Sequence, residues 1–268
     1  MIKDITIGQY IPGDSFIHKL DARVKILLSL LFIVDLFLIK DFKGYIVIFA
    51  FVFMAISISK IKFKYIYKGL KPIFILMIIT ALFNIFLTRG SGEPLIHWGF
   101  IKVYEEGIRT AVFMVLRLIF LIIGTSLLTL TTSPIELTDG IEKLLGPFKK
   151  IGVPAHELAM MMTIALRFIP TLMDETDKIM KAQKARGADF ETGNIIQRAK
   201  SLIPLLVPLF ISSFRRADEL AMAMEARCYR GGDGRTRMKI LKITSRDYVA
   251  VAIMFALTGV IIAMRIWL

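Results

Sequence analysis

The chain has 268 residues, of which 56% are apolar, and a formal net charge of +13. Soluble domains are typically only about 45–50% apolar, and the surplus here lies in long runs, so the sequence indicates an integral membrane protein. The positive charge does not favour nucleic-acid binding, because the lysines flank apolar runs, where membrane orientation explains them better. The single cysteine excludes an intrachain disulfide and a metal site built from cysteines alone.

A mixed polar segment, residues 1–23, precedes a region with four apolar runs, residues 24–131. Each run approaches the length of about 20 residues that crosses a bilayer as a helix. A last run follows in residues 247–268, and a more polar segment, 132–246, lies between. We therefore expect an all-α integral membrane protein. It should have about five transmembrane helices and a cytoplasmic-side region of about three amphipathic helices.

Residues 60–71 contain five lysines interleaved with aromatic residues, and we interpret them as a loop between the second and third spans. Because basic short loops face the cytoplasm, this loop predicts a cytoplasmic N-terminus and an external connection at 89–106. The lysines have two interpretations. They are an orientation signal, which we favour, or they bind anionic lipid head groups.

The polar segment opens at Ser133-Pro134-Ile-Glu136, a capping-box start with proline at the first helical position. Two longer helical patterns follow, and charges flank or punctuate their apolar stretches at 158–173 and 202–214. We expect these stretches to be amphipathic helices at the membrane boundary rather than spans. Pro170 lies inside the first pattern, where a proline removes a hydrogen bond, and is predicted to be a hinge that divides the helix.

Both long patterns end in a similar short motif, in which Asp, an aliphatic residue, two alanines and Arg recur at the same offsets. The motifs close with Ala185, Arg186 and Gly187 in the first copy and with Ala226, Arg227 and Cys228 in the second. An arginine that ends an apolar stripe needs carboxylate or carbonyl acceptors for its five donors. Each helix is therefore predicted to lie against a partner and to insert one cation there. The alternative, that each arginine only complements the helix macrodipole, is less favoured for two matched copies.

Two ionisable residues, Asp35 and Arg117, fall within predicted spans. Counted from opposite ends of their runs at about 1.5 Å per residue, they lie at nearly the same depth in a hydrocarbon core of roughly 30 Å. We favour an ion pair between spans over a proton or substrate relay. The sequence has no phosphate-binding loop, no HExxH motif and no Cys/His cluster. We therefore expect no catalytic residue and no metal site.

Three stretches together resemble one protein family. They are residues 10–25, the run from Leu166 to Pro170 and the two Ala-Arg motifs. They are similar to the transmembrane T component of energy-coupling factor transporters, relatives of ATP-binding-cassette systems that take up vitamins and other micronutrients. Residues 10–25, the N-terminal block, are more similar to T components shared among several S components than to those dedicated to cobalt or nickel.

The resemblance implies that the chain joins two cytosolic ATPases to a membrane-embedded substrate-binding S component, in the plasma membrane of a prokaryote. It also implies that the two Ala-Arg motifs dock in the ATPases, that ATP is bound only by those partners, and that the chain needs no cofactor. Cys228 departs from the glycine of the family motif, so we expect the second helix to rely on Gly231 as its stop.

Two other function classes remain open. A self-contained secondary transporter with an amphipathic cytoplasmic insert should have several midplane carboxylates in repeated halves, and Asp35 alone is too little. A membrane-anchored scaffold without a transport role predicts that loss of the arginines leaves uptake unchanged.

Overall fold

The computed structural model describes residues 10–88, 96–98, 101–190, 192, 194–231 and 241–267. These residues form helices joined by short connections and one small hairpin, so the prediction of an all-α membrane protein is confirmed. The helices are α1 (Ala22–Leu38), α2 (Phe42–Ser59), α3 (Phe63–Leu70), α4 (Phe74–Leu87), α5 (Glu105–Thr131), α6 (Pro134–Leu145), α7 (Ala155–Ala185), α8 (Ile195–Ser201), α9 (Ile203–Ala226) and α10 (Ser245–Trp267). The hairpin pairs β1 (Ile96–Trp98) with β2 (Ile101–Val103) in antiparallel register.

The chain forms two compact units. The bundle unit comprises the described residues of 8–140 and 240–268, and the paired-helix unit comprises those of 141–239. Four helical stretches in the described chain are long and apolar enough to cross a membrane, namely Phe42–Ser59, Phe63–Leu87, Glu105–Thr131 and Ser245–Trp267. All four belong to the bundle unit. Helix α1, with 17 residues, is at the short end of the length that crosses a bilayer.

The lysine-rich segment at 60–71 is not a loop, and that prediction is wrong. Helix α3 begins at Phe63 and runs through a 3₁₀ turn, Lys71–Ile73, into α4. The interleaved lysines and aromatic residues of α3 show no continuous buried stripe, because Ile66 is its only buried side chain. The sequence pattern therefore did not indicate a helix. The third span is therefore one helical stretch from Phe63 to Leu87 that begins with a basic turn.

Helices α1, α2, α5 and α10 supply most of the buried apolar core of the bundle unit. The approach of α5 to α1 is close, since a Cβ atom at Gly124 would lie 2.5 Å from a ring carbon of Phe32. Only glycine fits there without displacing the ring. Helix α4 differs from these helices, because Met77 is its only buried residue. So large an apolar surface requires a bilayer or a partner to cover it.

Helix α6 begins as the capping box predicts. Its first helical residue is Pro134, and the Ser133 hydroxyl accepts a hydrogen bond from the Glu136 amide at 3.3 Å. Pro170 lies inside α7, and the helix continues through it from Ala155 to Ala185. The proline therefore does not divide α7 into two helices, and its role as a hinge stays a prediction.

A buried lysine joins the N-terminal block to α5. Lys25 is only 5% exposed, and its Nζ donates to the carbonyl oxygens of His18 and Thr131 at 3.1 and 2.9 Å and to the Thr132 hydroxyl at 3.2 Å. Two of these acceptors lie at the C-terminal end of α5, where the helix leaves its carbonyl groups unpaired. Lys25 therefore satisfies polar groups that have no partner within the helix.

A buried carboxylate joins the same block to α10. Asp247 accepts the Asp21 amide at 2.8 Å with one oxygen and the Thr244 amide at 2.7 Å with the other. The Asp21 side chain caps α1 by accepting the Arg23 amide, and it also binds the Arg23 guanidinium through both carboxylate oxygens, at 3.1 and 2.7 Å. Burial disfavours ionisation of Asp21, but the hydrogen bonds from Arg23 hold the pKa of its carboxyl below the ordinary value. Arg23 and Lys25 thus make structural contacts within the bundle unit.

Replacing Lys25 by methionine should lower the stability of the chain by about 3 kcal/mol, because buried acceptors would lose their donor. The measurement is unfolding of the purified chain in detergent, followed by circular dichroism. Lys19→Met is the matched control, since the Lys19 side chain is 47% exposed and its partner Asp14 is 96% exposed. The control should change stability by less than about 0.5 kcal/mol. Equal effects of the two substitutions would contradict the assigned role of Lys25.

Candidate functional site: two Ala-Arg helix ends

Helices α7 and α9 pack antiparallel in the paired-helix unit. Near the end of α7 the Gln183 side chain donates to the Pro204 carbonyl at the start of α9, at 3.4 Å. Nearer the middle of α7, the Glu175 carboxylate accepts a hydrogen bond from the Arg216 guanidinium of α9 at 2.9 Å. From the first contact to the second, the residue number falls on α7 and rises on α9, which is the pattern of an antiparallel pair.

The antiparallel arrangement puts the two motifs at opposite ends of the pair. Arg186 follows the last residue of α7, on the side where α9 begins. Arg227 follows the last residue of α9, and the nearby Tyr229 contacts His156 at the start of α7. Since α7 has 31 residues, roughly 45 Å of helix separates the two ends at about 1.5 Å per residue.

Both helices end with the same backbone geometry. After α7, Gly187 has φ of +87° and the Ala188 amide bonds the Gln183 carbonyl at 3.0 Å. After α9, Cys228 has φ of +56° and the Tyr229 amide bonds the Met224 carbonyl at 3.1 Å. These are the left-handed residue and the six-to-one bond of a Schellman cap. The prediction that α9 relies on Gly231 is wrong, because Cys228 itself takes the left-handed conformation and completes the cap.

All six motif residues, Ala185 to Gly187 and Ala226 to Cys228, are exposed. Within the described part of the chain, neither motif arginine takes part in a hydrogen bond of its side chain or an ion pair. Each guanidinium therefore retains its donors for acceptors on another molecule. Position at a helix C-terminus also favours a cation, so the macrodipole interpretation stays open, but it does not require exposure of the whole motif.

The first half of α9 presents an apolar surface. Six of its residues, spaced three, one, three, one and three apart, are between 43% and 68% exposed: Ile203, Leu206, Val207, Phe210, Ile211 and Phe214. On α7, Met161 and Met162 are exposed to a similar degree, 55% and 45%. Two helix surfaces of this kind need a bilayer or another protein to cover them.

A histidine contact at the Arg227 end could not be predicted from the sequence. His156 lies 3.1 Å from a Glu142 oxygen through Nδ1 and 3.3 Å from the Tyr229 hydroxyl through Nε2. The contact links the end of α6, the start of α7 and the segment after α9. Tyr229 lies 73 residues beyond His156, and no spacing signal in the sequence connects the two. The described residues contain no group of His, Cys, Asp and Glu side chains that could hold a metal.

The structure does not bring Asp35 and Arg117 together as an ion pair. Asp35 is fully buried, with one oxygen accepting the Thr258 hydroxyl of α10 at 2.9 Å and the other without a partner. The Arg117 guanidinium lies 5.0 Å from the ring centroid of Phe37, and its buried Nε has no acceptor. Phe37 is two residues beyond Asp35, so the Phe37 and Asp35 side chains project from nearly opposite sides of α1. Arg117 therefore lies on the side of α1 that faces away from Asp35. Equal depth along their helices therefore does not bring the Asp35 and Arg117 side chains into contact.

A double-mutant cycle on detergent stability separates the two candidate partners of Asp35. Asp35→Asn and Thr258→Val should couple by about 0.5–3 kcal/mol, because they share a buried hydrogen bond. Asp35→Asn and Arg117→Gln should be additive within about 0.5 kcal/mol, because the two side chains do not meet. Strong coupling to Arg117 with none to Thr258 would show that the ion pair exists after all.

A family model and several curated relatives both match this chain. The family model CbiQ, described as cobalt transport protein, matches residues 13–240. A protein of Clostridium kluyveri named energy-coupling factor transporter transmembrane protein EcfT is 73% identical over 267 residues, covering 100% of this chain and 99% of its own length. Proteins of the same name are 59% identical in Thermosediminibacter oceani, over 99% of this chain and 100% of the relative, and 47% identical in Bacillus subtilis, with the same coverage.

These relatives match this chain over 99–100% of its length. Matches of this extent, together with apolar helices long enough to cross a membrane, confirm the resemblance drawn from residues 10–25 and the paired motifs. The chain belongs to the family of energy-coupling factor transporter transmembrane proteins.

Proposed function

We propose that the chain is the energy-coupling subunit of a micronutrient uptake transporter and links two cytosolic ATPases to a membrane-embedded S component. The observation that carries the proposal is the pair of exposed Ala-Arg ends at opposite ends of one antiparallel helix pair. Two matched ends, tens of ångströms apart, suit two matched sockets. A subunit that served only as a membrane anchor would not require a second Ala-Arg motif.

Each arginine would bind its ATPase through carboxylate or carbonyl acceptors. The guanidinium is a planar fork that satisfies two acceptors at once, and a protein interface removes the water that competes for it. The Schellman caps hold each arginine at the tip of its helix, where the backbone turns away. The tip of the helix is therefore the part of the pair that can enter a socket.

The helix pair would transmit the motion of the ATPases. When the ATPases bind ATP and close, the sockets move, and the ends of α7 and α9 move with them. The Glu175–Arg216 contact and the Gln183–Pro204 contact connect the two helices, so displacement of one end acts on both. Pro170 in α7 and Pro208 in α9 lack the amide donor of a normal helix turn and allow bending there.

The exposed apolar surface on α9 would face the S component and the membrane boundary. It lies on the half of α9 that precedes Arg216 and is free of charged residues from Ile203 to Phe214. Such a surface slides against an apolar partner without breaking hydrogen bonds. The S component would reorient on this surface and release its substrate inward.

In this proposal the chain is not an enzyme, and ATP is bound and hydrolysed by the partner subunits. The helix pair faces the cytoplasm of a prokaryotic cell, with the N-terminus on the same side, as the distribution of lysine and arginine indicates. The S component is interchangeable, and its substrate is a vitamin or another micronutrient.

The double substitution Arg186→Ala, Arg227→Ala should release the ATPases from the membrane part. Truncating an arginine at such an interface typically costs about 2–5 kcal/mol, which is roughly 30-fold to several thousand-fold in affinity. Single substitutions should weaken the complex, and Arg→Lys should restore it only in part. The measurement is copurification of the ATPases with the tagged chain, alongside coupled uptake in cells.

Arg215→Ala is the matched control, since Arg215 is an exposed arginine in the middle of α9. It removes one positive charge, as each single substitution at Arg186 or Arg227 does, without touching a helix end, and it should leave the ATPases bound. Binding of substrate to the S component should survive in every variant. Retention of the ATPases by the double variant at the level of the unsubstituted chain would refute the proposal.

A further inference from the structure

We propose that α3 carries a binding site for the phosphate head groups of anionic phospholipids. Three lysines, Lys64, Lys68 and Lys71, are spaced four and three residues apart, so they lie in one stripe along the helix and its 3₁₀ extension. All three are exposed. A loop would leave these charges scattered, whereas the helix presents them on one surface.

The packing of α3 turns this stripe away from the protein. Ile66 is 3% exposed, and a Cβ atom at Gly69 would lie 3.2 Å from the Ser126 hydroxyl of α5, so this side of α3 faces the bundle. Ile66 is two residues from both Lys64 and Lys68, which places it about 160° around the helix from them. The lysine stripe therefore points outward from the bundle unit.

The position of α3 in the chain fixes its depth in the membrane. It continues into α4 as a single apolar stretch long enough to cross a bilayer. A basic turn at the end of such a stretch lies at the level of the lipid head groups. Aromatic side chains border the stripe on both sides, with Phe63 and Tyr67 62% and 71% exposed and Tyr65 42% exposed. Exposed aromatic residues at the end of a span are typical of the membrane interface.

The charge of this surface is uncompensated. Residues 60–71 contain five lysines and no acidic residue. In the described ranges none of the five forms an ion pair. A lysine beside an anionic membrane surface gains about fivefold in association, so three lysines in one stripe give on the order of a hundredfold. An anionic head group is the partner of opposite charge that this depth supplies.

The test compares retention of two lipids by the full chain. The purified chain is delipidated in detergent and titrated with phosphatidylglycerol or phosphatidylcholine, and bound lipids are counted by native mass spectrometry. The unsubstituted chain should prefer phosphatidylglycerol, and higher salt should weaken that preference. The triple substitution Lys64→Gln, Lys68→Gln, Lys71→Gln should reduce the preference at least tenfold.

The matched control is Lys178→Gln, Lys181→Gln, Lys184→Gln, which removes three exposed lysines from α7. It lowers the total charge equally and should leave the lipid preference unchanged. Circular dichroism checks that both triple variants remain folded, as expected for exposed positions. Equal lipid preference in the two triple variants, or no preference in the unsubstituted chain, would overturn the proposal.

Discussion

The antiparallel packing of α7 against α9 is the constraint on which the functional geometry depends. Parallel helices would bring the two Ala-Arg ends together at one place. The contacts of Gln183 with Pro204 and of Tyr229 with His156 instead hold the ends apart at the two extremes of the pair. One helix pair thus presents two separate attachment points, as the proposed coupling to two ATPases requires.

The bundle unit depends on buried polar contacts around its N-terminal block. Lys25 donates to the carbonyl of Thr131, the last residue of α5, and Asp247 accepts backbone amides at the starts of α1 and α10. Buried polar groups are costly unless they are paired. The contacts of Lys25 with Thr131 and of Asp21 with Asp247 join segments distant in the chain, so they define how the helix ends meet. Lys25 and Asp247 therefore help to hold the bundle together.

Periodic and local signals predicted much of this structure. The capping box at Ser133 and the helix ends at Arg186 and Arg227 follow from residues within one turn of each other, which is the range of backbone capping. Contacts between distant segments could not be predicted in this way. Depth along a span placed Asp35 and Arg117 at one level but not on facing sides, because depth does not determine rotation about the helix axis. Helix α3 was missed because only Ile66 of its residues is buried.

The central claim is that each Ala-Arg end holds an ATPase, and site-specific photocrosslinking in the purified transporter complex tests it most directly. A photoreactive amino acid would replace Lys184 or Glu225, exposed residues two positions before the motif arginines, or Arg215 in the middle of α9. Both end positions should crosslink to ATPase subunits, while the middle position should not. Crosslinking from only one end, or equally from Arg215, would contradict the account.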